Sequence, residues 1–187
     1  MNEDIKQAFD VLVKGGLILY PTDTIWGIGC DATNEDAVRR VYELKKRIDS
    51  KALITLLDNP VKLSYYIAEV PEIAWDLIEL ADKPLTIIYD NARNVAPNLI
   101  AEDGSLAIRI TNEKFSNELC KRFRKPLVST SANISGEPAP HNFDEISEEI
   151  KNGVDYIVNY RQDERDSHTA SSIIKLGISG QIKVIRE

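Results

Sequence analysis

Three hydroxyl-rich segments and one cationic cluster supply the polar groups of interest in this chain. Thr22, Asp23 and Thr24 follow the apolar run Leu17-Ile18-Leu19-Tyr20 and Pro21, and lead into Trp26-Gly27-Ile28-Gly29-Cys30-Asp31. Ser129, Thr130, Ser131 and Asn133 close a second apolar run, and Ser171-Ser172 open a third. Lys45, Arg47 and Lys51 lie between the first two. Hydroxyls and amides hydrogen-bond phosphate or carboxylate oxygens, and ammonium and guanidinium groups neutralise them. Buried strands that end in such groups match the place where open α/β sheets bind ligands. The pattern points to a pocket for an anion.

Taken singly, each segment has a plainer structural reading. Thr22 to Thr24, and Ser129 to Asn133, suit turns whose side chains bond local backbone. The lysines and arginine suit a helix C-terminus complementing its dipole. Residues two apart on a helix diverge, so Lys45 and Arg47 converge only if the helix stops between them, a stop expected from Ile48-Asp49-Ser50. Neither a Gly-x-x-x-x-Gly-Lys loop nor a Gly-x-Gly-x-x-Gly turn occurs. No Gly-x-Ser-x-Gly elbow favours a nucleophilic serine. His141 and His168 have no metal-ligand spacing, and no metal site is expected. Trp26 and Trp75 read as core or pocket-wall residues rather than stacking platforms.

The elements that must position these groups alternate. A helix carries Ile5, Phe9, Leu12 and Val13 and ends at Gly15-Gly16, before the Leu17 to Tyr20 strand. Asn34 caps the next helix, with Ala37, Val38, Val41, Tyr42 and Leu44 on its buried side. Strands are expected at Leu53 to Leu57, Leu85 to Tyr89, Leu106 to Ile110, Leu127 to Thr130, Tyr156 to Val158, Ser172 to Leu176 and Ile182 to Ile185. Helices are expected from Asn59-Pro60, over Pro71 to Leu80, around Glu113 to Phe123, and from Asn142 to Ile150. The alternation predicts an α/β fold with a mixed sheet in one domain spanning residues 1–187.

Composition narrows the class. A hydrophobic fraction of 43% and a charged fraction of 28% are those of a globular protein. The net charge of −7 argues against a coat for nucleic acid, so any RNA contact must be local, at Arg39 to Lys51 or Lys121 to Lys125. Cys30 and Cys120 lack disulfide or zinc spacing, which suits a reducing cytoplasm. No long uncharged run could span a bilayer, so secretion and membrane insertion are disfavoured.

Taken together, the segments resemble the YrdC-like family, the threonylcarbamoyl-AMP synthases, over nearly the whole chain. The resemblance rests on Pro21 to Thr24 with Trp26 to Ala32, Lys45-x-Arg47 with Lys51, Ala107-Ile108-Arg109, Ser129 to Gly136, and Ser171 to Ile174. It implies a twisted mixed sheet flanked by helices with a concave ligand-binding surface. It also implies a nucleotidyltransferase joining L-threonine, bicarbonate and ATP into threonylcarbamoyl-AMP and pyrophosphate, for modification of adenosine in tRNA. Transfer to tRNA would need partner proteins. Lys45 and Arg47 would be catalytic. With Lys51, Ser131, Asn133 and Arg186 they would bind ATP, whose Mg²⁺ arrives with the nucleotide, and no tightly bound cofactor is expected. Thr24, Arg109, Ser129 and Ser171 would bind threonine.

The chain departs from the family pattern at Ile48 and Ala52, where proline is usual, near Leu56, where histidine is common, at Asp82-Lys83-Pro84 in place of Pro-Gly-Pro, and at Thr111. Its length corresponds to the short single-domain form. Two other functions stay open: a noncatalytic module binding double-stranded RNA or tRNA, and a domain that forms a carbamoyl-adenylate from carbamoyl phosphate.

Overall fold

Apolar, β-branched runs of three to five residues become strands, and their hydroxyl-rich ends fall near one another because the strands share a sheet. The computed structural model describes residues 1–46, 53–165 and 169–187. The strands are β1 (Ile18–Tyr20), β2 (Gly27–Gly29), β3 (Ile54–Leu57), β4 (Leu85–Tyr89), β5 (Leu106–Ile110), β6 (Leu127–Ser131), β7 (Tyr156–Ile157), β8 (Ser172–Leu176) and β9 (Ile182–Arg186). They pair in the order β7-β1-β2-β6-β3-β5-β4-β8-β9. The pairs β1/β7, β3/β5 and β4/β8 are parallel and the other five antiparallel, so the sheet is mixed, as expected.

The expected strands at Leu85 to Tyr89, Leu106 to Ile110 and Ser172 to Leu176 form at those bounds. β2 is an addition. Two glycines in three residues hide its strand character, yet they permit its pairing with both neighbours. A Cβ on Gly29 would lie 2.6 Å from the Tyr20 ring and 3.0 Å from Val128 O. Gly27 is less tightly confined, a Cβ there lying 3.2 Å from Thr130 O and 3.3 Å from Ser129 Oγ.

Helices α1 (Asn2–Val13), α2 (Glu35–Leu44), α3 (Leu63–Tyr66), α4 (Ile73–Leu80), α5 (Lys114–Phe123) and α6 (Glu148–Gly153) complete the fold. α1 packs on α5 through Phe9 and Phe123, whose rings meet edge to face at 6.1 Å. Their buried Ile5, Ala8, Leu12, Phe115 and Leu119 join the core. Asn34 caps α2 as expected, its Oδ1 accepting from Ala37 N at 3.0 Å.

Two helix boundaries correct the sequence reading. α2 stops at Leu44, ahead of Ile48-Asp49-Ser50: Lys45 is its C-cap, and Lys46 turns left-handed at φ 49° while its N–H donates to Glu43 O. The helix expected from Asn142 to Ile150 is two pieces. Asn142 caps one short turn at Phe143–Glu145, and Ser147 caps α6 afresh by accepting from Ile150 N. A second capping side chain three residues before an available N–H competes with continuation of the first turn.

Candidate active site

Sheet register brings the polar strand ends onto one face. Cross-strand partners share a face, so the row Ser129, Ile54, Ala107, Ile88 and the next row Leu56, Arg109, Thr86, Ile173, Arg186 lie side by side. Above them opens a cavity of about 770 Å³, walled by Thr24, Trp26, Gly27, Arg109, Ser129, Ser131, Ser171 and Arg186 among others. Its apolar lining includes Leu53, Ile54, Ile88, Ala107 and Ile173, and Glu102 and Asp103 also line it. That volume suits a ligand the size of a nucleotide.

At one end, the early stop of α2 lets the Lys45 side chain turn into the protein, where the residue is only 3% exposed. Its Nζ donates to Ser131 O at 2.7 Å, Asn133 O at 2.7 Å and Asn133 Oδ1 at 3.2 Å. Asn133 is itself oriented, its Nδ2 donating to Glu137 O at 2.6 Å, and Ser135 N donates to Lys45 O. A cation thus lies directly behind the strand end that carries Ser129 and Ser131, although Lys45 and Asn133 themselves do not form the cavity wall.

At the other end, Arg109 is 2% exposed. Its Nη2 lies 2.9 Å from Asp23 Oδ1 and 3.4 Å from Thr24 Oγ1. The carboxylate contact is close but poorly aligned, since Asp23 Oδ1 and Arg109 Nε have no hydrogen-bond partner among the described residues. Burial pushes the Asp23 carboxyl up, and the Arg109 charge holds it back. The Thr22 hydroxyl fixes the turn: it accepts from Thr24 N at 3.1 Å and donates to Ile25 O at 2.8 Å. With its one hydrogen used there, Thr22 must accept from Thr24 Oγ1 at 3.0 Å, which leaves Thr24 an acceptor toward Arg109.

The third strand end closes the far side. Ser171 and Thr86 share a buried hydrogen bond of 2.8 Å between their hydroxyls. Arg186 grips the Ser171 carbonyl with Nε at 2.9 Å and Nη2 at 2.7 Å. Burial, and then the nearby Arg109 charge, push the Arg186 guanidinium below its ordinary value, so two cations face one cavity.

Of the residues singled out in the sequence, Thr24, Arg109, Ser129, Ser131, Ser171 and Arg186 line this cavity, and Lys45 and Asn133 join it through Ser131. Arg47 and Lys51 lie outside the described residues, as do Ile48, Ala52 and His168. Trp26 is a wall residue, its ring tilted against Phe143 at 4.9 Å. Among the described residues no group of three or more His, Cys, Asp or Glu could hold a metal ion. No described helix is long and apolar enough to cross a membrane. Sequence reading gave no role to Thr86, Glu113 or Arg161, and gave Asp23 only a place in a turn. Asp23 sat inside a quoted motif, but Arg161 reaches Thr22 O across 139 positions and left no local signal.

A family model designated Sua5_yciO_yrdC and described as telomere recombination matches residues 10–187. The chain belongs to this family. It is 33% identical over 181 residues to a threonylcarbamoyl-AMP synthase of Pseudoalteromonas translucida, covering 95% of each chain. It is 37% identical over 157 residues to a threonylcarbamoyl-AMP synthase of Enterobacter sp., covering 82% of this chain and 83% of that one. Among solved structures, P. abyssi Sua5 complexed with L-threonine superposes with a TM-score of 0.81 at 27% identity. That match covers 92% of this chain but spans only 50% of the Sua5 chain. E. coli YciO, at 22% identity and a TM-score of 0.86, shares the fold over 100% of this chain and 90% of its own.

Proposed function

We propose that this chain is an L-threonylcarbamoyladenylate synthase, acting in the cytoplasm to supply the intermediate for threonylcarbamoyl modification of tRNA adenosine. The observation that carries the reading is the meeting of Lys45 with Ser131 and Asn133 behind a cavity whose other end holds Arg109. Similarity over 95% and 82% of the chain to two relatives named for this activity supports it.

In the proposed reaction the threonine amine attacks carbon dioxide derived from bicarbonate and loses a proton, giving a carbamate. A carbamate oxygen then bonds to the α-phosphorus of ATP as the bond from that phosphorus to the bridging oxygen breaks, and pyrophosphate leaves. No protein nucleophile is consumed. The work falls to positioning and to neutralising charge. Arg109, with its unpartnered Nε, suits the threonine carboxylate, beside the hydroxyls of Thr24, Ser129 and Ser171. Lys45 would act from behind Ser131 and Asn133, Arg186 and Ser131 would bound the nucleotide, and Arg47 and Lys51 keep the phosphate role that the family resemblance implies. Mg²⁺ would enter with ATP as part of the substrate.

Incubation of the protein with labelled bicarbonate, threonine and ATP should yield a threonine-dependent labelled adenylate and one pyrophosphate per adenylate. Failure to form it, with thermal stabilisation by structured RNA alone, would replace the reading by an RNA-binding module. A labelled adenylate formed from carbamoyl phosphate without threonine would make the chain a carbamoyl-adenylate-forming domain.

A further inference from the structure

We propose that Arg161 is a positioning residue for amino-acid recognition, acting through the Thr22–Thr24 turn to set the Arg109 guanidinium; the inference rests on threonine being the substrate. Arg161 has a φ of 70°, in the left-handed region where a side chain is strained. Such a conformation persists where the surroundings over-determine it. Here they do so through the guanidinium, whose side chain is 15% exposed. Nη1 donates to Thr22 O at 3.1 Å and lies 3.3 Å from Glu113 Oε1, while Nε pairs with Glu164 Oε2 at 2.7 Å.

Two of these partners, Glu113 and Thr22, are themselves anchored. Glu113 accepts Phe115 N at 3.0 Å and Ser116 N at 2.7 Å, so it is fixed at the start of α5. The preceding Tyr160 stacks on Phe115, ring centroids 6.0 Å apart at 23°. Thr22 is held on its other side by its own hydroxyl, which leads to Thr24 and from there to Arg109 Nη2. Arg161 Nη1 therefore holds the carbonyl of the residue whose hydroxyl aligns Thr24, while Nε fixes the guanidinium on Glu164. Arg161 does not line the cavity that Arg109 and Ser129 wall.

The test separates this role from support of the fold. Arg161→Gly removes the clamp and at the same time relieves the left-handed strain, so the melting temperature should hold. The KM for threonine should rise about tenfold while kcat and the KM for ATP change less than about twofold. Arg161→Lys, which keeps a cation beside Glu113 and Glu164 without the fork, should recover part of the threonine KM. Amide exchange at Thr24, read without substrate, should quicken in Arg161→Gly. An active wild type with an unchanged threonine KM in Arg161→Gly overturns the inference, as do equal increases in both KM values alongside a lower melting temperature. A wild type that ignores threonine, with Thr24 exchange quickened by the substitution, overturns the substrate reading and leaves the clamp standing. Unchanged exchange overturns the clamp.

Discussion

Replacing Lys45 by methionine keeps most of the apolar stem and deletes the ammonium. The residue is 3% exposed, and its nitrogen satisfies two backbone carbonyls at 2.7 Å and one amide oxygen at 3.2 Å. Leaving buried acceptors without a donor costs about 1–3 kcal/mol for each of the three. Removal of a buried cation returns part of that, since burying an ammonium carries its own desolvation penalty. The carbonyls of Ser131 and Asn133 lie near a cavity that water can enter, which lowers the cost further. A net loss of about 2–4 kcal/mol remains. For a chain of 187 residues that corresponds to a fall in melting temperature of roughly 5–15 °C. Urea unfolding of ligand-free Lys45→Met should show a lower midpoint at unchanged slope. Pyrophosphate release should be lost well below the melting temperature. A midpoint equal to that of the wild type would refute the reasoning, because the three bonds would then contribute nothing net to the Ser131 to Asn133 strand end. Lys45→Arg should not rescue, since a planar fork cannot converge on acceptors arranged for a tetrahedral ammonium.

Gly29→Ala should destabilise by roughly 1–3 kcal/mol, measured by chemical denaturation, because the new Cβ meets the buried Tyr20 ring at 2.6 Å and Val128 O at 3.0 Å. Cys30 and Cys120 are free and buried, and burial raises both thiols, so alkylation should follow global unfolding and neither should label in the native protein at neutral pH. The Lys175 ammonium, then the Ser105 donors, lower the Asp103 carboxyl from 3.8 to about 2. A carboxyl lowered on folding stabilises above its unfolded value and loses that contribution as pH falls through the folded one. Asp103→Asn should therefore cost less than about 1 kcal/mol at pH 6, given a side chain 55% exposed, and the difference from wild type should close as pH falls from 3.8 to about 2.

Much of the fold was legible because its strands are short apolar runs bounded by turn residues, and β4, β5 and β8 could be read to the residue. Part of the cavity lining was legible from residue type, in the hydroxyls of Ser129 and Ser131, with cationic Lys45 behind them, whereas Arg109 was singled out only through the family resemblance. Features settled by distant pairing were not. β2 becomes a strand because Tyr20 and Ser131 pair with Gly27, though neither glycine favours the conformation alone. The α2 stop depends on a left-handed Lys46, a residue type with no preference for that region. Arg161 shows the same limit, since its partners Thr22 and Glu113 are remote in sequence and its value lies in where their carbonyl and carboxylate are aimed.

The order of strands explains why the polar groups meet without a glycine-rich phosphate loop. β6 is antiparallel to both β2 and β3, so its hydroxyl end lies against Gly27 on one side and Ile54 on the other. β3 and β5 run parallel, which carries Arg109 to the level of Leu56, one pleat from Ile54, and β4 then sets Thr86 beside Arg109. Side chains alternate between faces with a period of two. A slip of one residue in β5 would thus exchange Arg109 for Ile108 or Ile110, placing a guanidinium beneath the helices and an apolar chain in the cavity. The buried row on the opposite face, Thr55, Ile108, Ile87 and Ile174, opposes that slip along four strands at once. The apolar core therefore fixes the placement of the charged site: the same register that buries Ile108 holds Arg109 over the cavity, with Lys45 fastened to the strand end at its other side.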